Sequence, residues 1–292
     1  MERSYQDRFW TSADGLNLHF RDYPAANEAG QSESKLPVVC LHGLTRNARD
    51  FSALAKHLSR NRRVLVPEMR GRGLSDYAAE SDSYNPAQYV ADVEKLLTEE
   101  GVKQFIAIGT SMGGLMTMLL AKAAAGRIAA AVINDIGPAI EPEGVARIAN
   151  YVGQGGNYPT WLHAARSMQD VHHGAFPEYG LDQWLEMAKR TLVVSQNGRI
   201  NYDYDMAIAE PFSRPSGAAP PDLWDAFEAL SGTPILLVRG ELSDLLSPET
   251  VKRMQAGNPK LELITVPKMG HAPTLDETAV REAIDTLLAP IP

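Results

Sequence analysis

The chain has 292 residues, 44% hydrophobic and 22% charged, the proportions of an ordinary soluble globular protein with one large core or two modest ones. Its 28 basic and 36 acidic residues give a net charge of −8 and no stretch is a basic run, which argues against nucleic acid or an anionic membrane as the main partner. The longest purely apolar run, residues 128–133, is far short of a bilayer span, and MERSYQDRFW carries charges where a signal peptide needs its apolar segment, so a cytoplasmic protein is expected.

The first segments read as strands. RFWTS and LNLHFRDY flank Asp14-Gly15, a two-residue hairpin signal. PVVCLHG (37–43) and RRVLVPEM (62–69) are apolar, β-branched runs of the kind buried on both faces of a sheet, with a helically spaced segment between them. The single cysteine, Cys40, lies in the first of these runs; it excludes an intrachain disulfide and reads as a small buried hydrophobe.

The alternation continues with a helix from Asn85-Pro86 to Gly101, strand QFIAIG, helix LMTMLLAKAAAG and strand IAAAVIND. It resumes at residues 233–240 with TPILLVRG, then a helix around SPETVKRM, strand LELITVP and a terminal helix LDETAVREAIDTLLA. Apolar strands alternating with helices predict an α/β fold with a mostly parallel sheet covered on both faces. Residues 138–227 interrupt this pattern. They hold helical segments, no buried parallel strand, and about half of the 21 aromatic residues, among them Trp161, Trp184, Tyr202, Tyr204 and Trp224. An insert at the carboxyl edge of a parallel sheet is placed to roof a site there, so the expected division is a core of 1–137 and 228–292 with a helical cap of 138–227.

Gly109-Thr110-Ser111-Met112-Gly113 fits G-x-S-x-G, a pattern that average composition produces in roughly one chain in ten of this length. Its context carries the weight, because it lies between an apolar strand and a helix, as a nucleophile elbow requires. The serine there takes a strained backbone conformation, and the neighbouring glycines leave room for it. A serine hydroxyl needs a base to take its proton. His271, in the loop GHAP after the last strand, is in place for that. The base needs a carboxylate to hold its tautomer. Asp244 in GELSD is the first choice, Asp135 in INDIGP the rival after another strand of the same edge, and Glu241 a weaker one. The oxyanion calls for backbone donors, for which Met112 N–H and Leu44 N–H are the candidates. His42 reads as a structural support of that loop. His172, His173 and Glu178 match no metal spacing, so no metal and no cofactor are expected.

The pieces LHGL (41–44), EMRGRGLSD (68–76), GTSMGG (109–114), VRGELSD (238–244) and GHAP (270–273) resemble, in order, the α/β-hydrolase superfamily along most of the chain. The resemblance implies an eight-stranded sheet whose second strand is antiparallel, and a helical cap after the sixth strand. Serine at position 111 disfavours the aspartate-nucleophile dehalogenases and epoxide hydrolases, and HGLTRN differs from the HGGPG and HGxGPG loops of the iminopeptidases and C–C hydrolases. Glu68 stands where the family more often has aspartate, and no catalytic meaning attaches to it.

The chain therefore reads as a serine hydrolase of small, rather apolar esters or lactones, with Trp161, Trp184, Tyr202 and Arg46 as candidate substrate contacts. A C–C hydrolase of a vinylogous diketone on the same machinery is the alternative among enzymes; a small-molecule receptor with negligible turnover is the alternative of another class. The expected partner is a small-molecule substrate, and monomer and homodimer stand equally open.

Overall fold

A computed structural model describes residues 4–26, 35–213 and 222–292. In chain order these form β1 (Gln6–Thr11), β2 (Asn17–Tyr23), β3 (Val38–Leu41), α1 (Ser52–Leu58), β4 (Val64–Pro67), α2 (Pro86–Glu99), β5 (Phe105–Thr110), α3 (Met112–Ala123) and β6 (Ile128–Asn134). Then follow α4 (Pro142–Ala149), α5 (Trp161–His172), α6 (Leu181–Thr191), β7 (Leu192–Val194), β8 (Ile200–Tyr202) and α7 (Glu210–Ser213). The chain ends with α8 (Trp224–Glu228), β9 (Ile235–Gly240), α9 (Pro248–Gly257), β10 (Leu261–Val266) and α10 (Thr278–Leu288).

Eight strands make one sheet in the order β1-β2-β4-β3-β5-β6-β9-β10, with β2 antiparallel to both neighbours and the rest paired in parallel. This is the α/β-hydrolase arrangement the motifs imply. The apolar strands are continuous rather than alternating because both faces are covered. Along β5, Phe105 and Ala107 join the core beneath α2, α3 and α9, while Ile106 and Ile108 join the one beneath α1 and α10. Helix α2 starts where the Asn85-Pro86 pair predicts, with the Asn85 side chain accepting from Gln88 N–H. The first hairpin is wider than a two-residue turn. Residues 12–16 close it, with Ser12 N–H donating to Leu16 O at 2.9 Å and Leu16 N–H to Ser12 Oγ at 2.8 Å.

The insert between β6 and β9, expected as a helical cap, also contains the antiparallel hairpin β7–β8, and its small core lies around Trp184, Phe176, Met168 and Ile200. In addition, α8, which begins within the 138–227 span and ends at Glu228, packs on α3, and its Ala226 and Phe227 join the sheet's own core. The amphipathic pattern of DLWDAFEAL announces a buried face but not which layer receives it.

Candidate active site

The turn from β5 to α3 explains the glycines around Ser111. Ser111 has φ 53° and ψ −117°, a left-handed conformation costly for any residue with a side chain. A Cβ on Gly109 would lie 2.3 Å from Gly113 O, and one on Gly113 would lie 1.9 Å from Leu41 O. Side chains at these positions would push the helix off the strands, so the turn that raises Ser111 above the sheet edge exists only with glycine on both sides of it.

His271 reaches this serine, with Nε2 2.7 Å from Ser111 Oγ. Its Nδ1 is 2.9 Å from Asp135 Oδ2, and the Asp135 side chain is fully buried. Here the structure departs from the first-choice carboxylate. Asp244 is gripped by Arg147 of α4, which donates to both its oxygens, through Nη2 to Oδ1 at 2.8 Å and through Nε to Oδ2. Burial alone would raise the Asp244 carboxyl, but the Arg147 guanidinium outweighs it and holds that carboxyl below its ordinary value. Asp135 takes the place beside His271 because β5 and β6 are adjacent and in register, pairing Thr110 with Asn134, so the next residue on each strand meets the same histidine. Asp135 turns there with φ 57°, and its second oxygen accepts from Gly240 N–H at 2.8 Å. Asn134 pins the histidine loop, donating through Nδ2 to Pro273 O at 2.8 Å and to Thr110 Oγ1 at 3.1 Å. Glu241 faces elsewhere, accepting from Lys268 N–H at 2.7 Å.

The loop carrying Leu44 passes directly over the serine: a Cβ on Gly43 would sit 3.7 Å from Ser111 Cβ. Leu44 lines the same cavity as Ser111, and its amide donates to no acceptor among the described residues. The EMRGRG segment braces this loop from behind. Arg72 donates through Nε to Leu44 O at 2.9 Å, and Met69 N–H donates to His42 Nε2 at 3.0 Å. An Nε2 that accepts leaves the proton on Nδ1, which donates to Gly43 O at 2.8 Å. Glu68 is buried among donors, accepting from Ala48 N–H at 3.0 Å, from Leu74 N–H at 2.8 Å and pairing with His19 Nδ1 at 2.8 Å. The sequence placed His42 correctly as a support, and it missed Arg72.

Burial pushes His42 down from 6.5 to about 4. The folded ring stays neutral down to about that pH, whereas an unfolded histidine takes up its proton near 6.5. The unfolded chain therefore binds more protons in between, and stability falls as pH drops from about 6.5 to about 4, with His42 contributing about 3 kcal/mol of that loss. Urea midpoints of the wild type and His42→Asn between those pH values check this. The expected result is a flatter dependence in the variant, and parallel curves would overturn it.

The cavity beside Ser111 has a volume of about 130 Å³ and is closed by the insert through Ile148, Tyr151, Met168, His172, Phe176 and Met187, with Tyr202 and Tyr204 on the hairpin side. Of the four side chains expected to touch substrate, Tyr202 and Arg46 line it. Trp161 and Trp184 do not. Trp161 shares the inward stripe of α5 but lies eleven residues before His172, about 16 Å along the helix. Trp184 is the centre of the insert's own core, edge-on to Phe176 and Tyr179, with its indole N–H donating to Tyr179 O at 3.1 Å. Large aromatics serve a small core as readily as a pocket, and only packing separates the two uses.

A model of the alpha/beta hydrolase family matches residues 38–283. The chain is 36% identical over 262 residues to the 3-hydroxybutyrate-oligomer hydrolase of Cupriavidus necator, covering 87% of this chain and 89% of that one. It is 26% identical over 263 residues to an sn-1-specific diacylglycerol lipase of Mus musculus, covering 87% and 81%. The crystal structure of an alpha/beta hydrolase from Novosphingobium aromaticivorans is 53% identical and superimposes with a TM-score of 0.92 over 99% of both chains. With the sheet order, the Ser111 turn and these likenesses together, the chain belongs to the alpha/beta hydrolase family.

Proposed function

We propose that this hydrolase cleaves short carboxylic esters through an acyl-enzyme on Ser111. The observation that carries the reading is the continuous relay from Asp135 through His271 to Ser111 at 2.9 and 2.7 Å, opening into a cavity of about 130 Å³. With the His271 Nδ1 proton held by Asp135, the Nε2 lone pair accepts the Ser111 proton as Oγ attacks the ester carbonyl. The oxyanion that forms is received by the amides of Leu44 and Met112, the latter at the start of α3. The imidazolium then gives its proton to the departing alkoxide, leaving Ser111 acylated. A water molecule, deprotonated by the same nitrogen, attacks the acyl carbonyl, and collapse returns the proton to Ser111 Oγ with release of the acid.

In this reading the insert acts as a cap that sets acyl length, and the small cavity favours short chains. The Cupriavidus relative, named for an ester-linked substrate, supports esters over other acyl bonds. Labelling with a fluorophosphonate tests the reading: the adduct is expected on the peptide carrying Ser111, together with loss of turnover of 4-nitrophenyl butyrate. Absence of the adduct, or undiminished turnover after labelling, would overturn it.

A further inference from the structure

The cavity has a second polar face that the relay does not use. His172, Tyr151 and Arg190 of the insert build it together with Arg46, which comes from the loop after β3. The His172 ring has no hydrogen-bond partner among the described residues and meets Tyr151 edge-on, with centroids 5.0 Å apart. Arg46 is held rigidly. Its Nε and Nη2 each donate to Asp50 at 2.6 Å, and its Nη1 donates to Thr191 Oγ1. A guanidinium has five N–H groups, so two of them remain for a ligand. Arg190 is engaged through Nη2 by Asp276 Oδ2 at 2.8 Å, and Asp276 lies outside the cavity lining. The lining thus carries two guanidinium groups against one carboxylate, Asp50, whose two oxygens are both spent on Arg46.

We propose that this face binds a carboxylate carried by the substrate, so that the preferred substrates are short esters with a free acid group a few bonds from the scissile carbonyl. The inference rests on the ester reading above and names its substrate class. Charge and geometry agree on it. A planar, pre-oriented guanidinium suits a carboxylate better than it suits a neutral hydroxyl. Arg46 and Arg147, the two charges that act on His172, are both positive and, after burial, help push that imidazole down to about 4. The two N–H groups left on Arg46 and the ring nitrogens of His172, which have no partner among the described residues, are the groups a ligand would engage. The free hydroxyl of a neutral hydroxy ester would satisfy the ring but not take both remaining N–H groups of Arg46.

The test reads binding apart from catalysis. Ser111→Ala protein is titrated with 4-nitrophenyl hemiglutarate and with its neutral counterpart, 4-nitrophenyl pentanoate. The anionic ester is expected to bind about tenfold tighter or more, and the preference to shrink as salt rises from about 0.02 M to about 0.5 M. Adding His172→Phe or Arg46→Gln is expected to cut the preference at least fivefold, with thermal midpoints confirming that each variant folds. Equal binding of the two esters, or a preference that both variants retain, would overturn the inference. Wild-type turnover of the pentanoate ester reports separately on the serine hydrolase, so either reading can fail while the other stands.

Discussion

Replacing Ser111 with alanine is expected to lower kcat/KM for a short nitrophenyl ester by about 10⁴-fold or more while the protein stays folded. Among the described residues the Ser111 hydroxyl is the one that His271 Nε2 meets, at 2.7 Å, so its loss leaves the base with no oxygen to activate. The same position gives an independent stability readout. Because Ser111 sits at φ 53°, Ser111→Gly is expected to gain on the order of 1 kcal/mol in urea denaturation relative to Ser111→Ala, with both inactive. Substantial turnover in either variant would remove Ser111 from the mechanism. An alanine variant more stable than the glycine one would mean that the turn is not strained.

The second large effect separates the two aspartates. Asp135→Asn is expected to cost about 10³ to 10⁴ in kcat, because an amide beside His271 Nδ1 no longer fixes the tautomer or stabilises the imidazolium. Asp244→Asn is expected to stay within about tenfold of wild type, since that carboxylate is spent on Arg147 and about a quarter of its surface is exposed. The Asp244–Arg147 pair does tie the insert to the sheet. Glu141 N–H donates to Leu245 O at 3.1 Å, and a Cβ on Gly144 would lie 2.5 Å from Asp244 O. A modest effect on KM in Asp244→Asn therefore fits a loosened roof. Steady-state rates of the two variants decide the matter: an inactive Asp244→Asn beside an active Asp135→Asn would reverse the assignment.

The elements legible in the sequence are those whose physics is local. Glycines at 109, 113 and 114 around one serine describe a turn that no other residues permit, and the apolar run before them and helix after them place it at a strand end. His271 is legible for a similar reason, standing in a short loop between the last strand and the last helix. Buried runs such as VVCL and FIAIGT announce strands covered on both faces, and so a parallel sheet.

What the tertiary structure alone decided concerns choices among equivalent places. Asp135 and Asp244 each follow a strand on one edge of the sheet, and nothing near either says which faces the histidine. The register of β5 against β6 brings Asp135 there, and Arg147, arriving from a helix about a hundred residues earlier in the chain, holds Asp244. Trp184 and Tyr202 are likewise both aromatics of the insert, yet one fills its core and the other lines the cavity, a division made by packing across helices rather than by spacing along one. The bracing of Leu44 by Arg72 belongs with these, since an arginine between two glycines reads as a surface residue until the loop it supports is folded over it. Short-range sterics are written in a chain's order, whereas long-range partners depend on which surfaces the finished sheet brings together.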